Sequence, residues 1–349
     1  MNFKRHKQGK RRLTSLKLTI RRGLSRGILA FIAAAFMVSS IVGCLHEPVK
    51  PIRVGYLVWP GYESLFLAND LGYYQGAGIR LVDYPSGSET IRAFRNGDLE
   101  AATLTLYEAL LVAETLPNFR IVLVMDSSNG ADVLLSKPTI QGLENLKNQR
   151  IGVESGAVGA YVLTRALEKV ALTPKDVQVI SLGVSEHEQA FKRENVDAVV
   201  TFEPTRSKLL EVGAKQLFDS TQIPGEILDI LAIREDVLMQ QPKTVEALIA
   251  GNFRAWKYLE KHPADAAQRI APREGVTPEQ FLESLKGIYI PDLEQNRRLL
   301  GNQDAANRER MNRVAQFMAD SKLLSRKIDP VALFDDRFVR RVQATAIAP

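Results

Sequence analysis

The chain has 349 residues, 25% of them charged and 45% apolar, which excludes wholesale disorder, a collagen-like repeat and a polytopic membrane protein. Its 46 Lys and Arg against 40 Asp and Glu give a net charge of +6, and a basic balance of that kind invites a nucleic-acid partner. The charge is uneven, however: residues 1–44 hold ten Lys and Arg and no acid, the rest of the chain is left at −4, and a nucleic-acid partner loses its support.

The first element is the apolar run Ile28 to Gly43, sixteen residues without a charge. A membrane-spanning helix needs about 20, so the run suits the core of an export signal better than a permanent span. It ends in Ile41-Val42-Gly43-Cys44, which resembles the lipobox of bacterial lipoproteins, where the cysteine is acylated and the chain is cut just before it. Cys44 is the sole cysteine, so no disulfide within the chain competes for its sulfur. An uncleaved anchor helix or cleavage near Ala33-Ala34-Ala35 is the blander alternative. The pairs Arg11-Arg12 and Arg21-Arg22 fit a twin-arginine signal poorly, and Sec export is expected. Residues 1–43 are thus read as a lipoprotein signal peptide and 44–51 as a proline-containing tether of roughly 25 Å at most. The folded part would be held at the outer face of the cytoplasmic membrane or in the periplasm by its lipid.

From Ile52 short apolar runs alternate with helical patterns, the rhythm of a βα-repeating chain. Strands are predicted at 52–57, 79–83, 101–104 and 121–125, with helices at about 64–73, 88–96 and 106–116. A second series follows Ser136-Lys137-Pro138: strands at 150–153, 177–181 and 198–201, helices at 157–170, 185–194 and 204–212. After the apolar run 227–233 the chain is mostly helical, with Val245, Leu248, Ile249, Asn252 and Trp256 at helical spacing, as are Phe281, Leu285 and Ile288. Lacking strands of its own, this tail is expected to pack back on the first series. The expected architecture is α/β: lobe 1 from 52–132 and 231–349, lobe 2 from 133–230, each a mostly parallel sheet flanked by helices. Two extended crossings, near 131–135 and 228–233, would act as hinges, with a ligand at the carboxyl ends of the strands.

Signals for catalysis are nearly absent. The glycines of Gly152-Val153-Glu154-Ser155-Gly156-Ala157-Val158-Gly159 are not spaced as in a dinucleotide-binding turn, and Ser155 lacks the flanks of a nucleophile elbow. His187 and His262 have neither metal-ligand spacing nor a cysteine partner, and Glu186-His187-Glu188 is expected to be a solvated helix start. No metal, cofactor or enzymatic activity is expected.

The run Arg53-Val54-Gly55-Tyr56-Leu57-Val58-Trp59-Pro60-Gly61-Tyr62-Glu63, with Leu67-Ala68 and Leu71-Gly72-Tyr73-Tyr74 after it, resembles the start of solute-binding proteins of ABC importers. The nearest group is the nitrate, taurine and aliphatic-sulfonate family, similar in turn to the binding proteins for thiamine-pyrimidine precursors. Gly97-Asp98-Leu99-Glu100-Ala101-Ala102, Leu146 to Val153 and Asp197 to Pro204 keep the order expected of that family. The resemblance implies a two-lobed, type II periplasmic-binding fold, a monomer that captures a small solute and hands it to permease subunits. A membrane-anchored sensor using the same closure is the alternative. Thiamine-pyrimidine synthases share the fold but need a cofactor-binding lysine, a donor histidine and a cysteine-rich signature, and the one cysteine of this chain speaks against that alternative.

Within that frame Trp59, Tyr62 and Glu63 leave the first strand's carboxyl end and can bring aromatic faces and one carboxylate to the cleft. Ser86, Thr105, Tyr107 and Glu108 lie at helix starts after strands, where Ser86 is equally well a cap. Ser155 and Gly156 open the second lobe's first long helix, whose amides can receive a polar or anionic group. Phe202 and Glu203 follow from the family's aromatic-Glu-Pro element, with Pro204 as a first helical residue. A nitrate or sulfonate site would want Arg or Lys, yet these loops carry Glu63, Glu108, Glu154 and Glu203. That composition favours an amine, a cationic heterocycle or a zwitterion.

Overall fold

The computed structural model describes residues 50–301 and 304–347. The expected export signal, Cys44 as the expected acylation site and most of the expected tether lie outside the described residues. Among the described residues no helix is long and apolar enough to cross a membrane.

Two sheets organise the chain. The first has the order β11-β4-β10-β3-β1-β2. Its members are β1 (Ile52–Tyr56), β2 (Ile79–Asp83), β3 (Ala101–Thr105), β4 (Phe119–Ser128), β10 (Leu228–Arg234) and β11 (Ile288–Tyr289). The second has the order β7-β6-β8-β5-β9, from β5 (Val133–Ser136), β6 (Arg150–Val153), β7 (Gln178–Ser181), β8 (Ala198–Thr201) and β9 (Lys215–Asp219). β3 and β10 are sheet-central, and their residues read as near-continuous apolar runs because both faces are covered.

Helices wrap both sheets. After the strands of the first series come α1 (Glu63–Asp70), α2 (Gly87–Asn96) and α3 (Leu106–Ala113). The second series carries α4 (Val158–Glu168), α5 (Val184–Lys192) and α6 (Thr205–Glu211). The tail holds α7 (Glu235–Gln240), α8 (Pro242–Lys261), α9 (Pro263–Glu274), α10 (Pro278–Ser284), α11 (Leu293–Leu300), α12 (Ala305–Asp320) and α13 (Arg337–Arg341). As its periodicity predicts, α8 buries Val245, Leu248, Ile249, Asn252 and Trp256, and it packs on α1, where Ser64 Oγ donates to Asn252 Oδ1 at 2.5 Å. The two-lobed α/β architecture is the expected one.

Five details differ from the sequence reading. Neither sheet is mostly parallel: β1 runs parallel to β2 and β3, but β10 is antiparallel to β3 and β4. In the second sheet β6 is parallel to β7 and β8, while β5 is antiparallel to β8 and β9. The crossings fall at 129–132 and 220–227, since 133–136 and 228–234 are strands themselves. Ile288 is in β11 and not on a helical face, and Pro204 precedes α6 as its cap, after a cis peptide bond. His187 is buried at 1% exposure with Nδ1 3.2 Å from Thr201 Oγ1, and burial pushes its pKa down to about 4.

Candidate functional site

A cavity lies where the carboxyl ends of β1, β2, β3, β6 and β8 meet, lined by Leu57, Trp59, Tyr62, Gly87, Thr105, Glu108, Asp132, Glu154, Val158, Phe202 and Asp229. Carboxyl ends of strands in open α/β sheets are where such clefts form. The residues after β1, β2 and β3 come from the first lobe and those after β6 and β8 from the second, with Asp132 on the first crossing. Space for the centres of water-sized molecules is about 30 Å³, room for roughly two or three waters.

The aromatic walls are fixed by buried acids. Trp59 Nε1 donates to Asp126 Oδ2 at 3.1 Å, and the ring meets Phe202 of the other lobe edge-on, centroids 5.6 Å apart at 87°. Tyr62 donates its hydroxyl to Asp229 Oδ1. Strand register explains why these acids are neighbours: Asp229 on β10 pairs with Asp126 on β4 and with Thr105 on β3. Because β10 is antiparallel to β3, its first residues lie beside the last residues of β3, at the cavity.

Burial dominates the electrostatics. It pushes the carboxyls of Glu108 and Asp132 up to about 7, in Glu108 with a further push from the charge of Glu154. Asp126 and Asp229 are both raised by burial, and Asp229 rises further beside Asp126 because two adjacent carboxylates resist ionising together. Asp126 and Asp229 share a hydrogen bond through a proton on one of them, and no N–H or hydroxyl of the protein reaches Asp126 Oδ1 or Asp229 Oδ2. Among the described residues no Lys, Arg or His lines the cavity.

Each sequence-predicted residue has a definite place. Trp59, Tyr62, Thr105, Glu108 and Phe202 line the cavity together, as does Glu154. Glu63 does not: it is fully buried behind the wall, where both its oxygens accept from Arg273 Nε at 3.0 Å. Ser86 caps α2, accepting from the Glu89 amide at 3.3 Å. Tyr107 packs against Tyr161, centroids 5.8 Å apart. Ser155 and Gly156 are exposed, and α4 is capped by Ala157 without a side-chain bond. Glu203 turns into the start of α6, accepting from Arg206 Nη1 at 2.8 Å and from the Ser207 amide at 3.1 Å. Sequence reasoning missed Asp126, Asp132 and Asp229, although an acid inside or beside an apolar strand, as in Leu228-Asp229-Ile230, was a readable anomaly.

The polar groups thus offer acceptors converging on a small space between aromatic faces. Among the described residues no group of three or more His, Cys, Asp or Glu is placed to hold a metal ion.

Residues 46–273 match the NMT1-like family. A Brucella abortus (strain 2308) protein, named only as a candidate binding protein, is 23% identical over 212 residues, 57% of this chain. The chain spans 64% of the length of that curated relative. Among solved structures, the alkanesulfonate-binding protein SsuA from Xanthomonas axonopodis pv. citri, bound to MOPS, superposes with a TM-score of 0.71 at 19% identity, covering 82% of this chain and 98% of that one. The desulfurization enzyme DSZB shares the fold with a TM-score of 0.60 at 17% identity, over 83% of this chain and 98% of its own.

Proposed function

The chain belongs to the NMT1-like family, and from that membership and the cavity we propose that it is an exported solute-binding protein of an ABC importer, specific for a small organic cation. One observation carries the ligand class: Glu108, Asp132, Glu154 and Asp229 line a cavity that has three aromatic walls and no basic side chain. Buried acids without a counter-charge cost stability, and a cation that supplies both charge and N–H donors offsets that cost. The faces of Trp59 and Phe202 add about 0.5–2 kcal/mol for a desolvated cation. An amine or cationic heterocycle meets these demands, whereas an alkanesulfonate would place a negative charge among carboxylates.

In the proposed cycle the two lobes close on the solute about the crossings at 129–132 and 220–227, and the loaded form is delivered to permease subunits. Export, and acylation of Cys44 as the anchor, follow from the amino-terminal sequence. Palmitate-labelled cells should yield a labelled protein that loses its label in a Cys44→Ala variant. A catalytic reading has less to stand on, because a fold shared with an enzyme assigns no chemistry.

Isothermal titration with a panel of primary amines, aminopyrimidines, nitrate and alkanesulfonates tests the reading. Micromolar or tighter binding of an amine or cationic heterocycle is the expected result. Binding of nitrate or alkanesulfonates, with silence towards every cation, would overturn it.

A further inference from the structure

Two carboxylates of the cavity reach across it in opposite directions. Glu108, on α3 of the first lobe, accepts from the Val158 amide at the start of α4 in the second lobe, at 3.2 Å. Glu154, after β6 of the second lobe, accepts from the Ser88 amide at the start of α2 in the first lobe, at 2.7 Å. Each lobe therefore caps a helix of the other with a buried acid. Glu108 is pre-aimed for this, since its second oxygen accepts from the Thr105 amide at 2.8 Å in the capping box of its own helix.

Glycines make the approach possible. A Cβ on Gly87 would sit 2.8 Å from Glu108 Oε1 and 3.1 Å from the Ala157 Cβ, and one on Gly156 would sit 2.8 Å from Ser88 Oγ. Side chains at these two positions would make the Glu108, Ala157 or Ser88 side-chain atoms shift, so glycine lets the helix starts come this close.

Free amides and the positive end of the dipole make a helix start a receptor for anions. Here α2 and α4, of ten and eleven residues, point such ends at one cavity, and both are already occupied by this chain's own carboxylates. We propose that Glu108 and Glu154 are specificity-determining residues, a reciprocal latch that stands in the place of an anionic ligand and bars sulfonates and the acid end of zwitterions from the cleft. This rests on the reading of the site as a cation receptor and narrows it to solutes without a carboxylate or sulfonate group at that end. Both bonds of the latch run between the lobes.

The test is titration of ethanesulfonate and of sulfate into the wild type, the Glu108→Gln and Glu154→Gln variants and the Glu108→Ala/Glu154→Ala double variant, each checked for folding by circular dichroism. The latch predicts that anion affinity rises at least tenfold in each Gln variant and further in the double variant. Should the double variant not fold, the near-isosteric Gln variants decide. Unchanged anion affinity in folded variants, or wild-type protein that already binds ethanesulfonate as well as they do, would overturn the proposal. The two readings fail separately. A wild type silent to every amine would sink the cation reading whatever the variants do, and intact amine binding with no gain of anion binding would sink the latch alone.

Discussion

Asp229 shows how one residue acquires its meaning from its neighbours. It sits in an apolar strand, buried at 3% exposure, bonded to Tyr62 and sharing a hydrogen bond with Asp126. Replacing it by Asn keeps the shape but removes a carboxyl that can give up its proton to a cationic ligand, together with the acid neighbour of Asp126. Amine affinity in Asp229→Asn should fall about 10- to 100-fold, roughly 1.4–2.8 kcal/mol, by calorimetry. The ligand-free melting temperature should rise at the same time. An unchanged amine affinity would remove Asp229 from the site. The protonation of these acids also fixes the pH dependence of binding. Glu108 and Asp132, held near 7, are neutral at low pH and attract no cation, so affinity should increase from pH 5.5 to 8 with protons released on binding. Titrations in buffers of different ionisation heat measure that release. At this scale the sequence was a partial guide. Glu63 carries the same signature as Glu108, an acid in the first turn of a helix after a strand, and Glu203 lies just ahead of α6. Their partners, Arg273 at a separation of 210 residues and Arg206 three residues on, turn them away from the cavity, and only tertiary structure distinguishes the cases.

At the scale of elements, β4 depends on a side chain that behaves like a strand. Its edge partner β11 pairs only with Ser127 and Ser128, and farther along Asn296 of α11 takes over. Asn296 Oδ1 accepts from the Val124 amide at 2.8 Å, and its Nδ2 donates to the Val124 carbonyl at 3.0 Å. Asn296→Ala leaves both backbone groups buried without partners, so urea denaturation should show a loss of about 2–4 kcal/mol. A loss under 0.5 kcal/mol would mean that water fills the gap. Strands and helices of the two βα series were legible because runs such as Ile52 to Tyr56 and Ile79 to Asp83 are apolar, short and separated by helical spacing. Strands β5 and β9 were not, the first because three apolar residues beside a crossing look like the crossing itself, the second because Lys215-Gln216-Leu217-Phe218-Asp219 is polar at a sheet edge. Strand direction is invisible in composition, and the reversal of β10 is what brings Asp229 to the end of β3.

For the whole molecule, burial of acids makes folding take up protons. Glu63, Glu108 and Asp132 are raised to about 7 and Glu274 to about 9, in each case chiefly by burial. Their folded values exceed the unfolded ones, so the stability they lend is lost as pH rises through the folded values. His187, lowered to about 4, works in the opposite sense, but only below its unfolded value of 6.5. Between pH 6.5 and 9 the acids act alone, and ligand-free protein should melt a few degrees lower at pH 8.5 than at 6.5, by calorimetry. A flat profile would show that these groups are hydrated in solution. Of the two tryptophans, Trp59 faces Phe202 across the lobes. In a Trp256→Phe variant the remaining emission should therefore shift when an amine is added.

The interlobe position of Glu108, Asp132 and Asp229 has a consequence for delivery. In the proposed cycle, parting the lobes would return these carboxyls to water, where acids ionise near pH 4, and the parted form would be more negative than the shut one. A membrane partner presenting positive potential to this face would then stabilise the parted form selectively, and the same potential would drive the proposed cationic cargo off its counter-ions. Unloading can thus be driven by the partner's field, with no part of the partner having to enter the cleft.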